Sequence, residues 1–177
     1  MKYLIMCEGP NELEIVRILL ENDKLIYTSD DLLNLIPYHA RQITSSAAVK
    51  NALNLYHGPV TILRVGDTQN EKLKIPVQYK DQITDVKKFC TKPELEMLLI
   101  ISEDLVNEYE KQKSSVTPKS FCKKNISYNR KRYDNSTAFY RNYYGEQVDL
   151  LVDAIQKYKQ LKGKHGRDEG YLCDLLK

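Results

Sequence analysis

Tyr3 to Cys7 is a short apolar run that ends at Glu8 and Gly9. A run of that length bounded by turn residues predicts a buried strand. Pro10 suits the first turn of a helix, where its missing N–H would have no partner anyway. Leu13, Val16, Arg17 and Leu20 carry the helical spacing on to Asn22. Leu35–Tyr38 reads as a second strand, with Pro37 placing it at a sheet edge or a strand end. Ser45 or Ser46 caps a second helix through Ala47, Val49, Ala52, Leu53 and Tyr56, which stops at Gly58-Pro59. Val60–Val65 is the clearest strand, and Gly66-Asp67-Thr68-Gln69-Asn70 follows it as a polar loop. Strand, helix, strand, helix, strand predicts an α/β fold whose parallel sheet is flanked by crossover helices.

The pattern then changes. Residues 71–84 are charged and irregular, and Ile83–Phe89 predicts one more strand. Thr91 and Glu94 are spaced as a capping box that opens a helix to about Lys111. Thr117 caps a further short helix. Ile126 to Tyr144 is basic and aromatic, and Val148, Leu151, Val152, Ile155 and Tyr158 form an amphipathic last helix. Gly163–Gly170 reads as a charged loop, and Tyr171–Leu176 as a short apolar tail docked on the core. The expected division is an α/β domain over residues 1–111 and a basic helical extension over 112–177, packed on it.

Composition changes little. A chain of 177 residues, 42% hydrophobic and 29% charged, is an ordinary globular domain with a real core. It lacks a bilayer-length apolar run and a secretory leader, so a cytoplasmic location is expected. Cys7, Cys90, Cys122 and Cys173 show no Cys-x-x-Cys spacing, and His39, His57 and His165 form no metal-binding pair. Charge is more informative. Residues 111–177 hold 15 Lys or Arg against 7 Asp or Glu, while residues 1–110 hold 12 against 17. An acidic half followed by a basic half suits a metal site beside a polyanion track, or equally a solvated basic surface.

The candidate chemistry lies at the strand ends. Glu8 ends the first strand and Asp67 the third, and ligands bind at the carboxyl ends of strands in open α/β sheets. Glu12 is one helical turn beyond Glu8. Glu96 falls in a run that is apolar nearly all round, where an acid is usually paired or ligated. Glu8 and Asp67 also have a plain reading as loop acids, and Glu94 as a cap residue. In the basic stretch, Arg130, Lys131, Arg132 and Arg141 can neutralise phosphates, and Tyr133 can stack on a base or donate to a phosphate. The competing reading is that such tyrosines pack in the core.

Glu8-Gly9 after a strand, Glu12 four residues on, Asp67-Thr68-Gln69 and Lys92-Pro93-Glu94-Leu95-Glu96 occur in an order that resembles the Toprim fold. The likeness is to small bacterial OLD-like members, some of them associated with phage defence or toxin-like settings. It covers Tyr3 to about Asp104. It implies a site that holds Mg²⁺ or Mn²⁺ through Glu8, Glu12, Asp67, Gln69 and Glu96, with Glu8, Asp67 and Glu96 catalytic. The implied activity is metal-dependent hydrolysis of nucleic-acid phosphodiesters, DNA or RNA. Gln69 stands where the pattern has a second acid, and it offers a neutral oxygen only. That departure supports the alternative: a catalytically degraded nucleic-acid-binding or scaffolding subunit of a defence complex. The expected partners are nucleic acid and a protein partner or second copy, and no membrane.

Overall fold

The computed structural model describes residues 1–67, 71–91, 95–162 and 169–177. Gln69, Glu94 and most of the charged loop, residues 163–168, lie outside the described residues. The first half of the chain follows the predicted alternation: β1 Lys2–Cys7, α1 Pro10–Glu21, β2 Tyr38–His39, α2 Ala47–Leu55, β3 Val60–Gly66 and β4 Ile83–Cys90. Then come α3 Glu96–Ser102, α4 Val106–Glu110, α5 Pro118–Asn125, a hairpin of β5 Ser127–Tyr128 and β6 Lys131–Arg132, α6 Thr137–Tyr144, α7 Val148–Lys162 and β7 Glu169–Tyr171.

Five strands form one sheet in the order β2-β1-β3-β4-β7, and every pairing is parallel. Alternation along each strand sends side chains to opposite faces. Ile5, Cys7, Leu63, Val65 and Phe89 join α1, α3, α5, α6 and α7 in the larger core. Leu4, Met6, Val60 and Ile62 face α2 in the smaller one. The chain leaves β1 for β2 on one side and returns to β3 on the other. The crevice where strand order reverses therefore opens between the carboxyl ends of β1 and β3.

Three expectations shift. The second strand is Tyr38–His39 and not Leu35–Tyr38, because Asn34 and Leu35 both adopt left-handed φ, at 53° and 67°, and turn the chain before Pro37. The long helix expected to Lys111 is two helices, broken where Asp104 takes φ 56°. The segment expected as a helical extension also supplies a strand. β7 pairs with β4, and Leu172, Leu175 and Leu176 enter the same core as β1 and α1. None of the described helices is long and apolar enough to cross a membrane.

Candidate functional site

The carboxyl ends of β1 and β3 form the floor of an open cleft of about 380 Å³. Glu8, Glu12, Asp67 and Glu96 all line it, with Gly9, Asn11, Arg41, Thr91, Leu95, Lys119, Asn135 and Tyr140. Four acids from four chain segments thus meet in one place.

Glu8 is fixed by backbone and charge. Its N–H donates to the Val65 carbonyl at 2.9 Å, which continues the β1–β3 ladder past the end of β1. Its carboxylate, buried, accepts from Arg64 Nη2 at 3.1 Å. A Cβ on Gly66 would lie 2.5 Å from the Glu8 carboxyl carbon, so only glycine there leaves room for the acid. Glu12 stands in the first turn of α1, and its carboxylate folds back over Gly9. Burial pushes the Glu12 carboxyl above its usual range. Its own backbone N–H opposes that shift, and repulsion from Asp67, Glu8 and Glu96 adds to it. Asp67, just past β3, is exposed at the rim.

Glu96 opens α3, whose Met97, Leu98, Leu99, Ile100 and Ile101 are all buried. The acid is buried too, and it is paired as such surroundings require. Tyr133 donates its hydroxyl proton to Glu96 Oε1 at 2.7 Å. That proton is then spent, so Asn135 must present its NH₂ to the Tyr133 oxygen at 2.9 Å. The same NH₂ lies 3.3 Å from Glu96 Oε1, and the Asn135 amide oxygen accepts from Lys119 Nζ at 3.0 Å. Tyr140, fully buried, lies 3.2 Å from the Tyr133 hydroxyl. Burial raises both phenols far above their ordinary range, so they act as neutral hydrogen-bonding groups.

Two members of the expected nucleic-acid set have other work. Tyr133 is 2% exposed and holds Glu96, so its ring is closed to stacking on a base. Arg141 pairs with Glu14 and Glu21 and ties α6 to α1, which occupies the guanidinium expected to meet phosphate. Arg130, Lys131 and Arg132 are exposed on the β5–β6 hairpin, which leads directly into Tyr133 and Asn135. Sequence reading missed Asn11, Arg41, Arg64, Lys119, Asn135 and Tyr140. Arg64 alone carried a signal, as a charge inside the most apolar strand.

Among the described residues, no three or more His, Cys, Asp or Glu side chains are gathered tightly enough to hold a metal ion by themselves. The donors are nonetheless all oxygen, which suits hard cations. Comparison with family models, curated proteins and solved structures gave no match.

Proposed function

We propose that this cleft binds a divalent cation, Mg²⁺ or Mn²⁺, and works on the phosphodiester backbone of nucleic acid. The observation that supports it is the meeting of Glu8, Glu12, Asp67 and Glu96 in one cleft at the strand ends, with the Glu12 carboxyl raised by burial and, in smaller part, by its acidic neighbours. Glu12 and Asp67 would hold the ion, with Glu8 against Arg64 and Glu96 against Tyr133 beside them. Bound there, a divalent cation polarises a phosphoryl oxygen and acidifies a coordinated water. Lys119 and Arg41 supply positive charge to a phosphate entering the cleft. Arg130, Lys131 and Arg132 extend that field along the β5–β6 hairpin. The Toprim resemblance implies the same cleft but gives Glu8, Gln69 and Glu96 to the ion as well, and hydrolysis is the activity that it favours.

A second reading has its own support. Engagement of Glu8 and Glu96 by protein groups, and Gln69 in place of an acid, suit a subunit that grips nucleic acid without cutting it. One experiment separates the two. Millimolar Mn²⁺ should raise the melting temperature of the wild type by mass action, and Asp67→Asn should lose most of that gain. Cleavage of a labelled oligonucleotide by wild type with Mn²⁺, and not by Asp67→Asn, supports the nuclease. Stabilisation without cleavage supports the binding subunit. No effect of Mn²⁺ on the wild type overturns the cation site.

A further inference from the structure

The basic stretch turns its aromatic rings inward. The chain has 13 tyrosines, 3 phenylalanines and no tryptophan, and every one of these rings belongs to a described residue. None is exposed; each is buried or half-buried. Tyr133 meets Phe139 and Tyr140 edge to face, and Tyr143 meets Tyr144 in the same way, all five buried. Tyr128, half-buried, packs edge-on against Tyr143 with ring centroids 5.1 Å apart. The charges go the other way. Lys119, Lys123, Lys124, Arg130, Lys131 and Arg132 are all exposed. Lys119 lines the cleft, Lys123 follows one helical turn later on α5, and the chain then enters the β5–β6 hairpin. Cations therefore run from the cleft to the hairpin without an exposed ring among them.

That division bears on which form of nucleic acid fits. A single strand shows its bases, and proteins that hold one combine a basic groove with aromatic side chains on which successive bases stack. A surface without exposed rings offers no such platform. A duplex hides its bases in the stack and presents its phosphates. It carries about one charge per 1.7 Å of axis, roughly twice the density of either strand alone. A surface that binds through charge therefore favours the duplex.

The hairpin tip is a separate observation. Tyr128 pairs with Lys131, so the loop is Asn129 and Arg130 alone. Both take left-handed φ, at 48° and 65°, as a type I′ turn requires. Glycine is the preferred residue at the second of these positions, because a Cβ is strained there. Arg130 occupies it all the same, with its side chain exposed and no hydrogen bond or ion pair to a described residue. Strain of this kind gathers at functional sites. A two-stranded ribbon with a basic tip also has a shape that the groove of a duplex admits.

We infer that the nucleic-acid partner is double-stranded, held by phosphate contacts from α5 and from the hairpin with Arg130 at its tip, with no base stacked on an aromatic ring of the protein. This rests on the nucleic-acid reading above and adds the form of the partner.

Fluorescence anisotropy tests it, with labelled oligo(dT) as the single strand and its pairing with oligo(dA) as the duplex. Oligo(U) and its duplex with oligo(A) make the RNA arm. EDTA prevents metal-dependent cleavage, and salt is varied. In at least one arm the duplex should bind roughly tenfold more tightly than its own single strand at low salt, with the steeper salt dependence. Arg130→Gly should melt higher than the wild type, because glycine relaxes the turn. It should also bind the duplex more weakly, with the slope of log K against log salt flatter by about 0.9. Single strands that bind within a few-fold of their duplexes in both arms would overturn the inference. So would an Arg130→Gly that keeps the wild-type slope, which would make the tip a bystander, or one that melts no higher, which would remove the strain. Absence of binding to every probe, in EDTA and in Mg²⁺ alike, overturns the nucleic-acid reading itself.

Discussion

Glu12 is where burial, with a smaller part from the crowding of acids, has a consequence for stability. Asp67, Glu8 and Glu96 face it from three other segments, while Arg41 and Lys119 are the cations on the same cleft. Its carboxyl is raised in the fold above the ordinary value of 4.5. Between those two values the native chain holds a proton that the unfolded chain has released, so stability falls as pH rises. The contribution of Glu12 is complete below about pH 4.5 and is lost as pH passes through the raised value. Without divalent ions, the melting temperature should therefore decline over that window, relative to Glu12→Gln. Added Mg²⁺ should flatten the decline. Identical pH profiles for wild type and Glu12→Gln would show that the carboxyl titrates normally. Tyr133 makes a second residue-scale case. Tyr133→Phe deletes the 2.7 Å bond to Glu96 and leaves a buried carboxylate short of a donor. Loss of a hydrogen bond to a charged group costs about 1.5–3 kcal/mol, measurable in urea. Nucleic-acid affinity should stay unchanged, because the ring is not at the surface. Acids at strand ends were legible in the sequence, since a carboxylate stops an apolar run visibly. Tyr133 was not. Tyrosine is amphipathic, and only the fold decides whether its hydroxyl meets water, a base or a buried acid.

The elements read best were those whose signal is local. β1 and β3 are apolar runs closed by turn residues, α1 starts at a proline, and Ser46 and Thr117 cap α2 and α5 with their side chains. β2 was displaced because its position depends on Asn34 and Leu35 turning through left-handed φ, which nothing in Leu35-Ile36-Pro37 announces. β7 escaped as a strand because Glu169-Gly170-Tyr171 has no strand pattern. It exists through its pairing with β4, a contact between residues about 80 positions apart. That long-range strand has a price when removed. Leu172, Leu175 and Leu176 are buried behind it, and the backbone of Ile26 donates to the Leu175 carbonyl. Burial of each leucine is worth about 2 kcal/mol, so their loss approaches 6 kcal/mol, against a whole-domain stability of roughly 5–15 kcal/mol. A chain ending at residue 168 should therefore be partly or wholly unfolded at 25 °C by circular dichroism. A cooperative melt close to that of the full chain would show that the C-terminal strand is an accessory.

On the scale of the whole molecule, the two charge halves are not two domains. Helices from the basic half cover one face of a sheet to which the acidic half gives four strands and the basic half the fifth, and α6 is tied to α1 through Arg141, Glu14 and Glu21. The basic residues are thus divided between internal duty and the surface. Arg141 belongs to the first group, and Arg130, Lys131 and Arg132 on the β5–β6 hairpin belong to the second. The proposed binding of nucleic acid would separate the groups, because each phosphate neutralised releases counterions and steepens the salt dependence. With single-stranded oligonucleotide, each lost contact should reduce the slope of log K against log salt by about 0.7. Replacing Arg130, Lys131 and Arg132 together by Gln should therefore flatten the slope by about 2 and weaken binding at low salt. Arg141→Ala should leave the slope alone and lower stability by about 1 kcal/mol, the usual worth of a partly exposed ion pair. The reverse result would return Arg141 to the phosphate track: a flatter slope in Arg141→Ala and none in the triple variant. The hairpin would then be an ordinary solvated edge, and the proposed phosphate contacts would fall to Lys119 and Arg41 in the cleft.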